Sequence, residues 1–304
     1  IVASYAENIR GNMDILRDRN IDFIQPFLPI HDRKRLVERL YEELGEREKL
    51  SKQEIAAAVE AAYAEIERYR QDVRDYGQKI LARIEKTGEQ AIMLVGRPYH
   101  IDPEINHGIP EMIQSYKLPI LSEDAVYHIP VKAERLKVVN QWSYHARLYH
   151  AAQFTAEHQN LTLIQFSSFG CGLDALTTGQ VKEILEDHHR IYTMIKLDEV
   201  SNLGAARIRL RSLMAALARR KPVAYKEVRP IERPHFTEDC KATHTILAPQ
   251  MAPIHFELFQ TVIRKHGYRA VIPPMPGKEA IDTGLRYVNN DMCYPAIVVI
   301  GQLI

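Results

Sequence analysis

The sequence has only three cysteines and one tryptophan, and its charges almost cancel. Lys and Arg number 40 against 39 Asp and Glu, which gives a formal net charge of +1. No excess of one sign is present to attract nucleic acid or an anionic membrane. No apolar run is long enough to span a bilayer, and the N-terminus lacks the zones of a signal peptide. We therefore expect a cytoplasmic protein that binds neither nucleic acid nor membrane.

The three cysteines, Cys171, Cys240 and Cys293, are odd in number and widely spaced. This pattern does not describe a secreted disulfide scaffold, so reduced thiols or metal ligands remain. The chain starts at Ile1 without Met and stops at Ile304 within an apolar run. We expect both ends to be cuts in a longer polypeptide.

The first part of the chain, residues 1–90, is expected to be mainly helical. Ser51 and Glu54 form a capping box for a long helix, and an earlier helix over 32–44 is expected to stop at Gly45. The long helix has apolar residues in steps of three or four, namely Ile55, Val59, Ala62, Ile66, Tyr69, Val73, Tyr76, Ile80 and Ile84. This stripe indicates either a helix packed across the α/β body, which we favour, or an arm against a partner subunit.

From residue 91 onward, short apolar runs alternate with helical patterns. Strands are predicted over 91–95, 118–121, 161–166, 191–195, 245–248 and 270–272. Helices are predicted over 104–116, 140–158, 178–188, 203–219, 253–266 and the closing segment. This alternation predicts an α/β fold with Rossmann-like, doubly wound parallel sheets. Prolines interrupt the pattern over 221–234, so we expect two lobes after the helical segment, 91–225 and 226–304.

The most informative stretch surrounds Cys171. A buried strand is expected to end at Phe166, the glycines Gly170 and Gly172 let the backbone turn tightly around the cysteine, and Thr177 with Gln180 would cap a helix. Ligands bind at this edge of a parallel sheet, where backbone amides stabilise thiolates and anionic cofactors. Free cysteine is often only a small buried apolar residue, but the flanking glycines favour a ligand role.

The other cysteines differ in their sequence setting. Cys293 precedes Pro295, which suits the first turn of a helix, so Cys293 is expected at a helix N-terminus that favours metal or cluster ligation. Cys240 precedes a predicted strand and has neither glycine nor a helix terminus beside it. We expect Cys240 to stand apart from a shared cleft that Cys171 and Cys293 face.

Residues 96–110 follow the first strand and are rich in Gly, Pro, His and Arg, without G-x-G-x-x-G or a Walker G-K-[ST]. They are either a rigid loop that places Arg97, His100 and His107 near a cofactor or anionic substrate, or a structural turn with hydrogen-bonded histidines.

Arg207 and Arg211 share a helix face that suits phosphate, although a solvated face is favoured. The remaining histidines that we considered lack the i,i+4 spacing of paired zinc ligands and stay unassigned, namely His145, His150, His188 and His189.

Five stretches of the sequence carry a resemblance to a known family, namely 96–110, 168–186, 198–217, 245–256 and 289–302. They closely resemble the large bacterial activator proteins related to 2-hydroxyacyl-CoA dehydratases. Those activators join sugar-kinase-like ATPase modules to a cysteine-bearing segment akin to dehydratase subunits and double-cubane cluster proteins. The resemblance implies a cytoplasmic iron–sulfur protein of mostly anaerobic metabolism that handles low-potential electrons in an ATP-coupled reaction, and Cys171 and Cys293 fall at the family's cysteine positions.

The chain also departs from that family. No stretch resembles the phosphate-binding segments of the ATPase modules, so ATP is expected only on modules outside this sequence. The family's Cys-Pro upstream of the segment matching Ile1 is absent, and Cys240 matches no family cysteine. The resemblance therefore implies a cubane cluster on Cys171 and Cys293, with the ATPase modules, a dehydratase or a second copy as partners, and a fragment that is inactive alone. Two alternatives are a module that binds acyl-CoA or nucleotide through Arg97 and Arg207, and a scaffold that docks on a dehydratase through the long helix.

Overall fold

The computed structural model describes residues 2–132, 136–168, 172–197, 203–220, 235–288 and 292–304. Gly170, Cys171 and the predicted lobe boundary at 221–234 lie outside these residues. The chain divides into two compact units, Ile1–Val73 and Arg74–Ile304. No helix in the described ranges combines the length and the apolar character needed to cross a membrane.

The first unit is helical. It contains α1 (Val2–Asn12), α2 (Asp14–Asp18), α3 (Arg33–Glu48) and the first part of α4 (Lys52–Thr87). The predicted capping box opens α4, because the Ser51 amide donates to Glu54 Oε2 at 2.8 Å and the Glu54 amide donates to Ser51 Oγ at 3.2 Å. A small core of Leu36, Ile55 and Val59 joins α3 to α4.

The prediction that α3 stops at Gly45 is wrong. The helix continues to Glu48, and Lys49 ends it in the left-handed conformation with φ 53°. Gly45 instead lies inside the helix, where a Cβ would come within 2.7 Å of the Tyr41 ring. The glycine therefore serves side-chain packing and not helix termination.

The second unit is built on a parallel sheet of four strands, β1 (Ala91–Val95), β2 (Ile120–Ser122), β3 (Leu161–Ser167) and β4 (Tyr192–Lys196). The spatial order of the strands is β2-β1-β3-β4. β1 and β3 are almost wholly buried, as expected for strands covered on both faces. The Rossmann-like α/β fold predicted from the sequence is confirmed.

Helices surround this sheet and fill the connections between its strands. They are α5 (Pro103–Asn106), α6 (Ile109–Ser115), α7 (Glu123–Val126), α8 (Ser143–Glu157), α9 (Gly172–Asp187) and α10 (Gly204–Arg219). One core cluster includes Ile92 and Ile164 from the strands, Ile113 from α6 and Leu210 from α10. All four side chains are fully buried. This packing fixes the ends of β1 and β3, where the candidate site lies.

A smaller parallel pair, β5 (Thr245–Leu247) and β6 (Arg269–Val271), follows in the second unit. It is accompanied by α11 (Cys240–Thr243), α12 (Pro253–Lys265), α13 (Lys278–Tyr287) and α14 (Tyr294–Leu303). The sequence analysis did not predict α13. The partition into 1–90, 91–225 and 226–304 stays a prediction.

Three predicted boundaries differ from the structure for identifiable reasons. The helix predicted over 104–116 is two helices, because His107 and Gly108 adopt positive φ values of 54° and 79°, and Pro110 lies in the first turn of the second helix, which begins at Ile109. The strand predicted over 118–121 begins at Ile120, after Pro119, which has no amide to donate to the ladder. α9 begins at Gly172, six residues before the predicted start, so Thr177 and Gln180 lie within it and do not cap it.

Candidate functional site

The candidate site lies at the carboxyl ends of β1 and β3. The chain passes from β1 to β2 on one side and reaches β3 on the other side, so the connections diverge between these two strands. Such a topological switch point is where open α/β sheets bind ligands. The loop that starts at Gly96 and the loop that starts at Ser168 both leave the sheet there.

An ion pair joins these two loops. Nε and Nη2 of Arg97 each lie 2.8 Å from one oxygen of Asp174, Oδ1. The side chains are 25% and 15% exposed, respectively, so the pair is largely shielded from solvent. Asp174 belongs to the first turn of α9, where a carboxylate also interacts favourably with the helix dipole.

His100 makes a second connection between the loops. Its ring is only 3% exposed, its Nδ1 accepts the backbone N–H of Arg97 at 2.9 Å, and its Nε2 lies 2.6 Å from Ser168 Oγ. Burial, assisted by the charge of Arg97 and opposed by Asp174, lowers the pKa of His100 to about 4. The imidazole is therefore neutral at physiological pH.

The hydrogen bonds of His100 define its tautomer. Because Nδ1 accepts a backbone N–H, the single proton of the neutral ring resides on Nε2 and is donated to Ser168 Oγ. A histidine that activates a serine must instead offer a free lone pair to the hydroxyl. The His100–Ser168 pair is thus arranged to position the serine and not to deprotonate it.

His145, on α8, also lies at this site, beside the Arg97–Asp174 ion pair. It is 6% exposed, and its Nε2 lies 3.5 Å from Asp174 Oδ1, on the same oxygen that Arg97 contacts. Neither ring nitrogen has a hydrogen-bond partner among the residues that the structure describes. Burial and the nearby Arg97 charge lower the pKa of His145, while Asp174 opposes the change.

The third predicted residue of this loop, His107, has a backbone role. Its positive φ ends α5, and its N–H donates to the Pro103 carbonyl at 3.0 Å. The neighbouring Asn106 is buried and donates from Nδ2 to the His100 carbonyl at 3.2 Å. Arg97 and His100 are thus brought to the switch point together, and Asn106 supports the turn that carries them.

The described cysteines, Cys240 and Cys293, are both half-buried free thiols. Cys293 is the N-cap residue of α14, with Pro295 in the first turn, as the sequence predicted. Cys240 begins the short α11 and accepts the Thr237 amide at 3.4 Å, so the expectation that it has no helix terminus is wrong. Gly170 and Cys171 lie outside the described residues, while Gly172 begins α9.

Comparison with known proteins bears on the N-terminal part of the chain. Residues 1–126 match a family model described as CoA enzyme activase uncharacterised domain. The match supports the activator family for 126 of the 304 residues, a region that includes β1, Arg97 and His100. No curated protein and no solved structure matches the chain significantly.

Ser168, Asp174 and His145 are site residues that the sequence analysis missed. Their partners are far away in sequence, 68 residues for His100–Ser168 and 77 for Arg97–Asp174. The local sequence could have identified two of them, since Ser168 directly follows a buried strand and Asp174 lies in the first turn of the helix after it. Polar residues at such positions are candidate site residues in the same way as the neighbouring glycines.

Proposed function

We propose that this chain is the iron–sulfur-binding portion of an ATP-dependent activator of CoA-related enzymes that transfers low-potential electrons. The match of residues 1–126 supports the activator part of the proposal. The single structural observation that supports the cofactor part is the strand order, because β3 ends beside the switch point and Cys171 follows β3 closely in the sequence. In this proposal Cys171 and Cys293 are thiolate ligands.

The setting of Cys293 fits such a ligand. It caps a helix of 10 residues, and the N-terminus of a helix favours an anionic ligand through its free amides and its dipole. Within the described ranges, however, no group of three or more His, Cys, Asp or Glu side chains is arranged to hold a metal ion. The described residues therefore fit one ligand position of a cubane cluster and not a full set.

When bound, a cubane cluster would accept and donate single electrons, with thiolates as its anchors. The described residues contribute the surroundings. The neutral His100, the shielded Arg97–Asp174 pair and the Ser168 hydroxyl together place hydrogen-bonding groups without net charge at the sheet edge. Hydrogen bonds and burial around such a site are what adjust a cluster's potential.

The alternative of an acyl-CoA or nucleotide module receives less support. It needs Arg97 to bind phosphate, but the Arg97 guanidinium is already paired with Asp174. Arg207 is exposed on α10, as expected for a solvated basic face. A phosphate would have to displace the Asp174 carboxylate before it could form an ion pair with Arg97.

The docking alternative has one observation in its favour. In the predicted stripe of α4, Ile55, Val59 and Ile84 are buried, whereas Tyr69 and Tyr76 are 57% and 67% exposed. Apolar and aromatic side chains in solvent are typical of surfaces that meet a partner. The partner in our proposal is a CoA enzyme such as a dehydratase, in the cytoplasm, with the ATPase modules on the same longer chain.

The proposal is tested in the full-length protein purified without oxygen. Cys171→Ser and Cys293→Ser should each lose bound iron and the thiolate-to-iron absorption band, because a hydroxyl is a poor ligand for a soft metal site. The melting temperature of the metal-free protein should change little, since Ser nearly preserves the volume. Cys240→Ser is the matched control and should keep its iron. Full iron content in Cys171→Ser would refute the cluster assignment.

A further inference from the structure

One cavity of the second unit contains none of the residues of the candidate site. It has a volume of about 490 Å³ and lies beside α8, so we call it the α8 cavity. Its helical wall is a single face of α8, formed by Ala146, Tyr149, His150 and Gln153 at i, i+3, i+4 and i+7. Residues 127–131, from the loop after α7, form another wall. Cavities of this volume are typical of small-molecule sites.

Gln153 is the residue of this cavity that points to a ligand. It is only 8% exposed, it lines the cavity, and its amide has no hydrogen-bond partner among the residues that the structure describes. An amide that is shielded from water without a partner is unfavourable, so such groups are nearly always hydrogen-bonded in proteins. The carbonyl and the NH2 group of Gln153 are therefore free to bind a group within the cavity.

The remaining wall is aromatic and aliphatic. The rings of Tyr127 and His150 meet edge to face with centroids 5.2 Å apart, and Tyr149 is buried. None of the described residues that line the cavity is Asp, Glu, Lys or Arg. Burial, against the hydrogen bond to Ile129, lowers the pKa of His150, so its imidazole is neutral at physiological pH. A wall of this composition favours an uncharged, planar ring over a phosphate or a carboxylate.

Hydrogen bonds hold the walls of the cavity in place. His150 donates from Nε2 to the Ile129 carbonyl at 2.8 Å, and the Ile129 amide donates to the Val126 carbonyl at 2.8 Å. Farther along the same connection, the Lys137 amide donates to Gln180 Oε1 at 2.8 Å, beside the part of the wall that Leu136 contributes. The cavity is therefore formed before a ligand enters, and a preformed site loses less conformational entropy on binding.

We propose that the α8 cavity binds a small, uncharged nitrogen heterocycle of the nucleobase type. The planar amide of Gln153 presents an acceptor and a donor side by side, and it pairs with a ring edge that carries the complementary donor and acceptor. Tyr127 and Tyr149 supply the aromatic contacts that such a ring favours. The cavity shares no residue with the switch point, so this inference goes beyond the proposed function and does not depend on a cluster.

The ligand class is tested by titrating the full-length protein with adenosine, inosine and uridine, whose rings all carry a donor beside an acceptor. At least one should bind and should slow hydrogen exchange of the 127–131 amides. Purine riboside, which has no donor on its ring, should bind roughly tenfold more weakly than the best of the three. Absence of binding by all three at millimolar concentration, or equal binding of purine riboside, would overturn the proposal.

The absence of charge is tested with the 5′-monophosphate of the best ligand. It should bind no more tightly than the nucleoside, because no cationic Lys or Arg side chain is among the described residues of the wall. Much tighter binding of the monophosphate would mean that the protein selects an anionic ligand, which contradicts the proposed class.

The role of Gln153 is tested with Gln153→Leu, which removes the amide and nearly preserves the volume. Binding should weaken roughly tenfold, whereas the melting temperature of the free protein should stay the same or rise, because a buried amide without a partner is replaced by an apolar side chain. Gln114, exposed on α6 and outside the cavity, gives the matched control Gln114→Leu, which should bind as the wild type does.

Unchanged binding in Gln153→Leu would overturn the assignment of Gln153, and a lowered melting temperature with unchanged binding would mean that the residue serves packing alone. The comparison with purine riboside uses only the wild type, so it decides the proposal even where Gln153→Leu fails to fold.

Discussion

Gly96 lies so close to His100 that a Cβ at residue 96 would overlap the imidazole Nδ1 and come within 3.2 Å of the Phe166 Cβ. Gly96→Ala should therefore displace the ring and weaken its bond to the Arg97 amide. Overpacking of this kind costs about 1–3 kcal/mol, so the free energy of unfolding in urea should fall by that amount.

Gly179→Ala is the control for this prediction. Gly179 lies in α9, and a Cβ there would meet nothing within 4 Å. Replacing an exposed helical glycine by alanine stabilises a helix by about 0.5–1 kcal/mol, so this variant should be as stable as the wild type or more so. Equal effects of both substitutions would mean that Gly96 is not needed for His100.

Gly301 and Gly284 let α13 and α14 approach closely. A Cβ at 301 would overlap the Ala280 carbonyl, and a Cβ at 284 would overlap the Ile297 carbonyl. Backbone cannot move aside as a flexible side chain does, so Gly301→Ala should separate the helices at a cost of about 1–3 kcal/mol or more. Faster hydrogen exchange in 278–287 would report the separation.

The exposed Gly11, in α1, has nothing within 4 Å of its missing Cβ and provides the comparison. Gly11→Ala should leave the exchange of 278–287 unchanged. Because Cys293 is the N-cap residue of α14, Gly301→Ala also tests whether the position of Cys293 depends on the contact between α13 and α14. Unchanged exchange in Gly301→Ala would contradict the close approach of the two helices.

The sheet was predictable because its strands are short apolar runs between helical patterns. Buried parallel strands typically have such continuous apolar sequences. Boundaries were missed where a single residue decided them, as at Pro119 and at the left-handed His107. Of the site residues, Arg97 and His100 were predictable because their loop is rich in Gly, Pro, His and Arg. It could not supply Asp174 or His145, because which residues meet across a sheet edge depends on strand order and not on local pattern.

Buried Glu123, at the start of α7, should make stability depend on pH. Burial, with a contribution from Asp124, raises its pKa from 4.5 to about 7, against the weaker opposing effects of a hydrogen bond from its own backbone N–H and of the Arg147 charge. The folded state thus binds this proton more tightly than the unfolded state. The group is neutral in both states below pH 4.5, and stability is lost as pH rises from about 4.5 through 7.

Glu123→Gln should remove this dependence. A shift of this size corresponds to about 3 kcal/mol, so the variant should gain up to that amount relative to the wild type between pH 5 and pH 8. Urea unfolding across this range measures the effect. The exposed Glu111 is the control site, and Glu111→Gln should follow the wild-type curve. Parallel curves for Glu123→Gln and the wild type would show that Glu123 is ionised in both states.

His100 should remain a neutral Nε2–H tautomer over a range of pH in which ordinary histidines titrate. Because burial lowers its pKa to about 4, the folded state rejects the proton that the unfolded chain accepts near pH 6.5. Its contribution to stability is therefore present above pH 6.5 and is lost as pH falls from 6.5 toward 4. In a spectrum of ¹⁵N-histidine-labelled protein, assigned by comparison with His100→Gln, its Nδ1 should keep the shift of an unprotonated nitrogen from pH 8 to pH 5. The exposed His235 provides a reference within the same spectrum. A midpoint near 6.5 for His100, or a proton on Nδ1, would mean that the Arg97 amide does not hold the ring.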